Sequence, residues 1–543
     1  MLARFRKLPR TTRDWVAPNL RDFRTTRQPL IWVLAAATGL LVGLAAIAFR
    51  EAIGLVQLLW LGTRSEDMLF EARALPWFAL LLVPALGGLV VGVVLEFFMP
   101  NKRTSGVPDI IEVRHRTARE IPIRYGLLSS GLAAVSLGAG ASAGREGPLV
   151  HLGGTIAHAL DRSFGLSADL RRTLLGCGVA AAVSASFNAP IAGVLFAHEV
   201  VLDHFSRRAF VPIVIASTLA AIGSRLWFGE SAAFDVPDFQ IVSYLEFPAF
   251  ALLGVVAALV AIAFQFVLFT GEFLARRSAL PVWALPAVGG LIVGAIGTAF
   301  PEVLGVGYAV TDNALRGAIA LDLLLVLIPL KALATSVALG CRFGGGIFSP
   351  SLYLGAATGA AFGTLATQFA PAYGSDIGIY ALLGMGAVAG AVLGAPISTA
   401  LIAFELTGGY AISIALLLSV AIAHGINLAI HDRSYFQWQL EARGLFIQSG
   451  PHRTIGRTIR VMDFMRINDP DVEPPEPLAD DAPSLRPTDT LEVALRAFDN
   501  AGQTMLPVVD ERDPTRVIGR VSQVKALDRF KDALIAMSVE EHR

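Results

Sequence analysis

The chain has 543 residues, 54% of them hydrophobic and only 16% charged, with 44 Lys+Arg balancing 44 Asp+Glu, and its mean hydropathy is +0.60. A soluble enzyme of this size would carry more charge, and nothing points to nucleic acid; the composition is that of a polytopic membrane protein. Two cysteines, Cys177 and Cys341, lie in apolar segments, so neither a disulfide framework nor a Cys-based metal site is available.

Residues 1–29 are basic, with Arg4, Arg6, Lys7, Arg10, Arg13, Arg21, Arg24 and Arg27 against Asp14 and Asp22, which places this end in the cytoplasm by the positive-inside rule. It is too poor in apolar residues near its start to be a cleaved signal peptide. Residues 31–61 and 75–99 are long enough to cross a bilayer, since ~20 apolar residues suffice. Ser105-Gly106-Val107-Pro108 then offers a hydroxyl and free amides just ahead of a helix start.

From 125 to 205 the apolar runs are cut by Gly, Pro and polar residues, which suggests broken, tilted helices buried in protein or lining an aqueous cavity. Within this block Gly144-Arg145-Glu146-Gly147-Pro148 sets an adjacent Arg and Glu at membrane depth. Ionisable residues there cost ~2.5 to 3.5 kcal/mol each and mark a pathway or a partner. The flanking glycines and the proline predict a break between half-helices, whose N-terminal amides favour an anion. Further along, Ala189-Pro190-Ile191-Ala192-Gly193 leads to His198, Glu199 and Val200.

After more ordinary spans at 209–228, 245–270 and 281–300, the broken pattern returns from 321 to 430. Gly346-Ile347-Phe348-Ser349-Pro350 through Leu354-Gly355 repeats the G-x-x-x-P-x-x-x-L-G frame of Gly144 to Gly153, displaced by 346 − 144 = 202 residues. Ala395-Pro396-Ile397 through Glu405 repeats Ala189-Pro190-Ile191 through Glu199, displaced by 206. Two frames in one order at nearly one offset define two halves of one fold, 75–230 and 245–430, and paired broken segments point to the binding site of a repeat-built transporter. Tyr435 offers a phenol at the end of the last apolar block. Neutral donors such as these suit a small anion that must be dehydrated and then released. No metal-ligand spacing, nucleotide loop or catalytic triad appears in the membrane part, which argues against an enzyme.

Beyond 440 hydropathy falls. Residues 441–487 read as a linker with a Pro- and acid-rich loop, and 488–543 as one small α/β unit: helix 490–502, strand 505–509, a turn at 512–514, strand 516–521 and helix 523–530.

With T-S-G-V-P, G-R-E-G-P and G-I-F-S-P in order, followed by Tyr435, residues 30–440 resemble the CLC chloride channels and chloride/proton antiporters. The resemblance implies an all-α polytopic membrane protein with an inverted repeat, both termini cytoplasmic in an inner or plasma membrane, and a homodimer with one anion pathway per subunit. It assigns the anion to the Ser105 hydroxyl, the neighbouring Gly106, the amides of Ile347 and Phe348, and the Tyr435 hydroxyl, and it makes Glu146 the gate. Ser105, where relatives selective for nitrate or fluoride carry Pro or Met, implies chloride. The inner proton acceptor of the antiporters falls on Val200, which cannot carry a proton, with Glu199 beside it as a candidate relay. The resemblance therefore predicts a passive chloride channel, the alternative being an antiporter whose proton route does not need an acid at 200. The tail, from Val461-Met462-Asp463 to Gly519-Arg520-Val521-Ser522, resembles a single CBS motif. The acidic position that contacts a nucleotide ribose in such motifs falls on Lys525, so no cofactor is expected.

Overall fold

A computed structural model describes residues 16, 20–21, 23, 25–64, 68–115, 121–203, 205–229, 234, 239–369, 375–407, 410–445, 456, 459–468, 483–511, 513 and 515–542. The basic segment 1–29 and the loop within 441–487 lie largely outside these residues, as do Arg512 and Pro514 of the expected turn. The chain divides into two compact units, Met1–Phe436 and Gln437–Arg543.

The first unit is helical throughout its described part. Long apolar helices α1 (Gln28–Leu61) and α2 (Trp77–Phe98) come first. At 34 residues α1 extends about 51 Å, more than the ~30 Å hydrocarbon layer, so it must tilt. Then follow α3 (Val107–His115), α4 (Ile123–Gly138), α5 (Glu146–Phe164), α6 (Ala168–Phe187), α7 (Pro190–Phe196) and α8 (Arg207–Phe228). The second half holds α9 (Phe247–Arg277), α10 (Leu285–Ala299), α11 (Tyr308–Leu315), α12 (Leu321–Gly340), α13 (Phe348–Phe369), α14 (Ile377–Leu393), α15 (Pro396–Thr407) and α16 (Tyr410–His431). A short α17 (Tyr435–Glu441) follows, with only Tyr435 and Phe436 in this unit. Among the described residues six helices are long and apolar enough to cross a membrane. Their outward positions, such as Leu59, Phe97 and Leu226, are exposed apolar side chains, as expected of lipid-facing surface.

The two halves form an inverted repeat of broken and tilted helices, and the packing shows how the repeated frames build it. The L-G that ends each frame lies inside a helix, where it does not break the backbone but lets a second helix approach. A Cβ on Gly153 of α5 would stand 2.3 Å from the Gly178 carbonyl of α6, and one on Gly178 would stand 2.3 Å from the Gly153 carbonyl. In the other half the same place is taken by Gly355 of α13, 2.3 Å from the Gly384 carbonyl of α14, and by Gly384, 2.4 Å from Gly355. One turn on, a Cβ at Gly359 would meet the Tyr380 carbonyl at 2.0 Å. Such contacts let backbones pack where the lipid supplies no hydrophobic drive. The break expected at Gly144 to Pro148 lies between α4 and α5, and beyond it α5 runs for 19 residues and α13 for 22, because the glycines inside them serve contact rather than interruption. Gly359→Val should accordingly prevent α13 and α14 from docking, at a cost of at least ~3 kcal/mol because backbone must move. Loss of monodisperse protein in size-exclusion chromatography would register it, and a wild-type melting temperature would refute it.

The second unit contains a three-stranded antiparallel sheet in the order β1-β3-β2, with β1 Arg466–Ile467, β2 Met505–Val509 and β3 Val517–Ser522. Helix α18 (Leu491–Ala501) begins at Thr490, whose hydroxyl accepts from the Val493 amide at 3.3 Å, and ends at Gly502 with φ 61°. Its Leu491, Ala494 and Phe498 lie one helical step apart and join Val461, Phe464, Leu506, Val508 and Val521 in the core. The unit therefore recruits residues before 488 through β1 and Val461, and α19 (Gln523–His542) outlasts the expected helix end. This small α/β arrangement fits a CBS-like tail.

Candidate functional site

The centre of the first unit is the meeting of the two repeated frames. Gly144 and Gly346 exchange backbone hydrogen bonds, each amide donating to the other's carbonyl at 2.7 Å. This two-residue antiparallel bridge fixes the loop before α5 against the loop before α13, so both helix N-termini start beside it. The first amides of a helix have no intrahelical acceptor, and Phe348, the first residue of α13, contributes one of them next to Ile347. The Phe348 ring is buried 4.9 Å from Phe187 and 5.7 Å from Phe196, which anchors that turn against α6 and α7.

Glu146, the first residue of α5, is 1% exposed. Its carboxylate receives two hydroxyl donors from the other half: Tyr308 at 2.9 Å on Oε1 and Ser349 at 2.7 Å on Oε2. Arg145 comes only to 3.8 Å of Oε1. Its guanidinium is held elsewhere, donating to the Ser186 carbonyl at 2.9 Å and resting 4.9 Å from the Tyr308 ring centroid. Glu146 is thus a carboxylate caught chiefly by neutral hydroxyls at the head of a helix. Held that way it occupies the same kind of donor set that a small anion would use.

Ser105 lies in the turn before α3. Its amide donates to Ser129 Oγ at 2.8 Å, and the Gly106 amide donates to Asp109 Oδ2 at 2.9 Å. Arg103 closes on both oxygens of Asp109, at 2.6 and 3.1 Å, which pins the turn while the Ser105 side chain stays partly exposed. Tyr435 begins α17, is buried, and packs 5.3 Å from Phe269 of α9 and 6.4 Å from Phe436. The structure thus joins Glu146, Ser349 and the Ile347-Phe348 turn directly, while Ser105 and Tyr435 come from two separate elements with their own supports.

Glu199 and Val200 fall in a π-helical turn, Ala197–Leu202, that continues α7. A π turn alters the α-helical spacing between neighbours and re-aims their side chains. Glu199 accepts from the amides of Ile397 at 3.0 Å and Ser398 at 2.9 Å and also from the Ser398 hydroxyl, capping α15. Its repeat mate Glu405 accepts from the amides of Ile191 at 2.9 Å and Ala192 at 2.7 Å, capping α7. The two caps cross between the halves.

Sequence reasoning passed over Tyr308 as a site residue and saw Ser349 only as part of a motif. The available signal for Tyr308 was Gly305-Val306-Gly307 directly before it, two glycines that the structure shows at φ 61° and 90°. Lys331, which no motif singled out, is fully buried and donates to the carbonyls of Val303 at 3.0 Å and Gly305 at 2.9 Å.

Comparison with known proteins agrees with this architecture. The family profile described as Voltage gated chloride channel matches residues 87–428. A putative chloride channel protein ClcB-like from Ralstonia nicotianae is 33% identical over 390 residues, 71% of this chain and 91% of that protein. The H(+)/Cl(-) exchange transporter ClcA of Yersinia pseudotuberculosis is 31% identical over 396 residues, covering 70% and 81%. Among solved structures, a slow cyanobacterial Cl-/H+ antiporter superposes with a TM-score of 0.68 at 25% identity, over 76% of this chain and 97% of that one.

Proposed function

The chain belongs to the voltage gated chloride channel family, and from that premise we propose that it exchanges chloride for protons across the membrane, with Glu146 serving as both anion gate and proton carrier. The observation that carries this reading is the Glu146 carboxylate itself, held at the junction of the two repeats by Tyr308 and Ser349. Ionised, it competes with chloride for donors at the head of α13; protonated, it loses its claim on them and leaves with its proton. One group that alternates between these states links the two ions.

Chloride then binds through the amides of Ile347 and Phe348, the Ser105 and Tyr435 hydroxyls and the Gly106 turn. Neutral donors hold an anion without trapping it. Exchange is also the activity for which the Yersinia relative and the cyanobacterial protein are named. We place the protein in an inner or plasma membrane as a homodimer with cytoplasmic termini.

A second reading, the passive channel expected from the sequence, is favoured by one residue. Val200 stands where the resemblance puts an inner proton acceptor, so an exchanger must pass its proton inward through water or through Glu199. Vesicles loaded with chloride and diluted into low chloride decide between the two. Exchange predicts proton uptake against a pH gradient, driven by chloride leaving. Chloride efflux with no proton movement would leave the passive channel.

Selectivity offers a further check. Ser105→Pro removes the hydroxyl and also the amide that donates to Ser129, whereas Ser105→Ala removes the hydroxyl alone. Proline should move the nitrate-to-chloride permeability ratio further than alanine, by roughly tenfold if one hydrogen bond of ~1.4 kcal/mol is at stake. Equal ratios in wild type and both variants, measured by anion competition, would remove Ser105 from the anion site.

A further inference from the structure

Lys331 lies in the middle of α12, in an apolar span, with its side chain completely buried. Among the described residues no carboxylate pairs with it. Its ammonium instead donates to the carbonyls of Val303 and Gly305 and sits 5.0 Å from the Tyr353 ring centroid. An unpaired buried ammonium is costly, and a packed apolar side chain of the same length would avoid the cost. Its contacts suggest what the cost sustains.

Both carbonyls belong to the turn between α10 and α11, which makes two left-handed steps at Gly305 and Gly307. Such a turn aims carbonyls at one point, where they repel each other unless a cation collects them. The next residue after Gly307 is Tyr308, whose hydroxyl reaches Glu146. The same turn is tied to the loop before Glu146, since the Gly305 amide donates to the Gly140 carbonyl at 3.1 Å. One helical turn beyond Lys331, Thr335 Oγ1 meets Ser142 Oγ of that loop at 3.2 Å. The face of α12 carrying residues 331 and 335 therefore braces both sides of the gate.

We propose that Lys331 is a positioning residue for the gate: it clamps the Val303-to-Gly307 turn so that the Tyr308 hydroxyl meets the Glu146 carboxylate. The proposal rests on Glu146 being the gate. The titratable or charged groups around this assembly are Arg145 just before α5, Tyr308 on α11, Lys331 on α12 and Tyr353 on α13. Glu302, at the start of the turn, is paired with Arg73 at 2.6 Å. A hydroxyl that donates to a carboxylate favours its charged form. Once the clamp is gone the donor drifts, the ionised gate is held less firmly, and the pH midpoint of chloride flux moves upward.

The test is the pH profile of chloride efflux from reconstituted vesicles for wild type, Tyr308→Phe, Lys331→Met and the double variant. Each single change should raise the midpoint by about one pH unit, and the double should go no further than the larger single, because both act on one hydrogen bond. Lys331→Arg, which keeps charge and donors, should stay nearer wild type than Lys331→Met. If Lys331→Met is not recovered as folded protein, Lys331→Gln, with a donor for one carbonyl, replaces it in the same cycle. A wild-type midpoint in the lysine variant, or a double whose shift is the sum of the singles, overturns the clamp. Glu146→Gln separates this from the underlying reading: if that variant keeps the full pH response, the gate assignment itself fails. If it loses the response while the lysine variant stays at the wild-type midpoint, only the role of Lys331 fails.

Discussion

Replacing Glu146 with alanine should abolish proton movement to background while chloride still crosses, and should flatten the pH dependence of that flux. The carboxylate is the group that both receives the hydroxyls of Tyr308 and Ser349 and can carry a proton at that point. With it gone, nothing competes with chloride for donors at the head of α13, and nothing carries a proton past the junction of the repeats. Arg145 does not take over, since its guanidinium is committed to the Ser186 carbonyl and the Tyr308 ring. Glu146→Gln keeps the shape and an acceptor for one hydroxyl but cannot ionise, so it should resemble the protonated wild type at every pH. Parallel recordings of chloride efflux and proton uptake in vesicles check both variants. Proton uptake that survived in Glu146→Ala, or chloride efflux that kept its full pH response, would take the gate away from Glu146.

The parts of this architecture that were legible in the sequence were those written as local chemistry. Gly144 to Pro148 and Gly346 to Pro350 announced two helix starts, and the structure joins them through reciprocal bonds of Gly144 and Gly346. The strand at 505–509, the strand expected at 516–521 and found at 517–522, and the helix expected from 490 were equally local. What failed to show was anything that depends on which elements meet. Tyr308 lies 308 − 146 = 162 residues from the carboxylate it binds, and no spacing rule spans that distance. Which helices Gly153 and Gly355 admit was likewise unreadable, because a glycine that breaks a helix and one that admits a neighbour are identical in sequence. The π turn at Ala197–Leu202 was invisible too, since no residue type in that run marks an i→i+5 hydrogen-bond pattern.

Glu199→Gln should lower thermal stability and leave proton coupling intact, and Glu405→Gln should lower stability by a similar amount. Each carboxylate sits on the opening amides of a helix from the opposite half, where a full negative charge meets two N–H donors and the positive end of the helix. A glutamine keeps one oxygen but turns an NH2 toward an amide that needs an acceptor. Hydrogen bonds to charged groups contribute ~1.5 to 3 kcal/mol each, and losing one while leaving a donor unsatisfied should cost ~2 to 4 kcal/mol. Both helices begin with a proline, Pro190 and Pro396, so there is no further amide at that position to share the load. A proton relay must be free to pass between charged and neutral forms, whereas Glu199 is engaged by Ile397, Ser398 and the Ser398 hydroxyl at once. With Val200 unable to take a proton, the expectation for an exchanger is that water carries it on the inner side, so that coupling should not depend on Glu199. Thermal melts of both variants, read beside chloride-driven proton uptake, decide the matter. Wild-type melting with lost proton uptake and retained chloride flux in Glu199→Gln would make Glu199 the relay and its capping incidental.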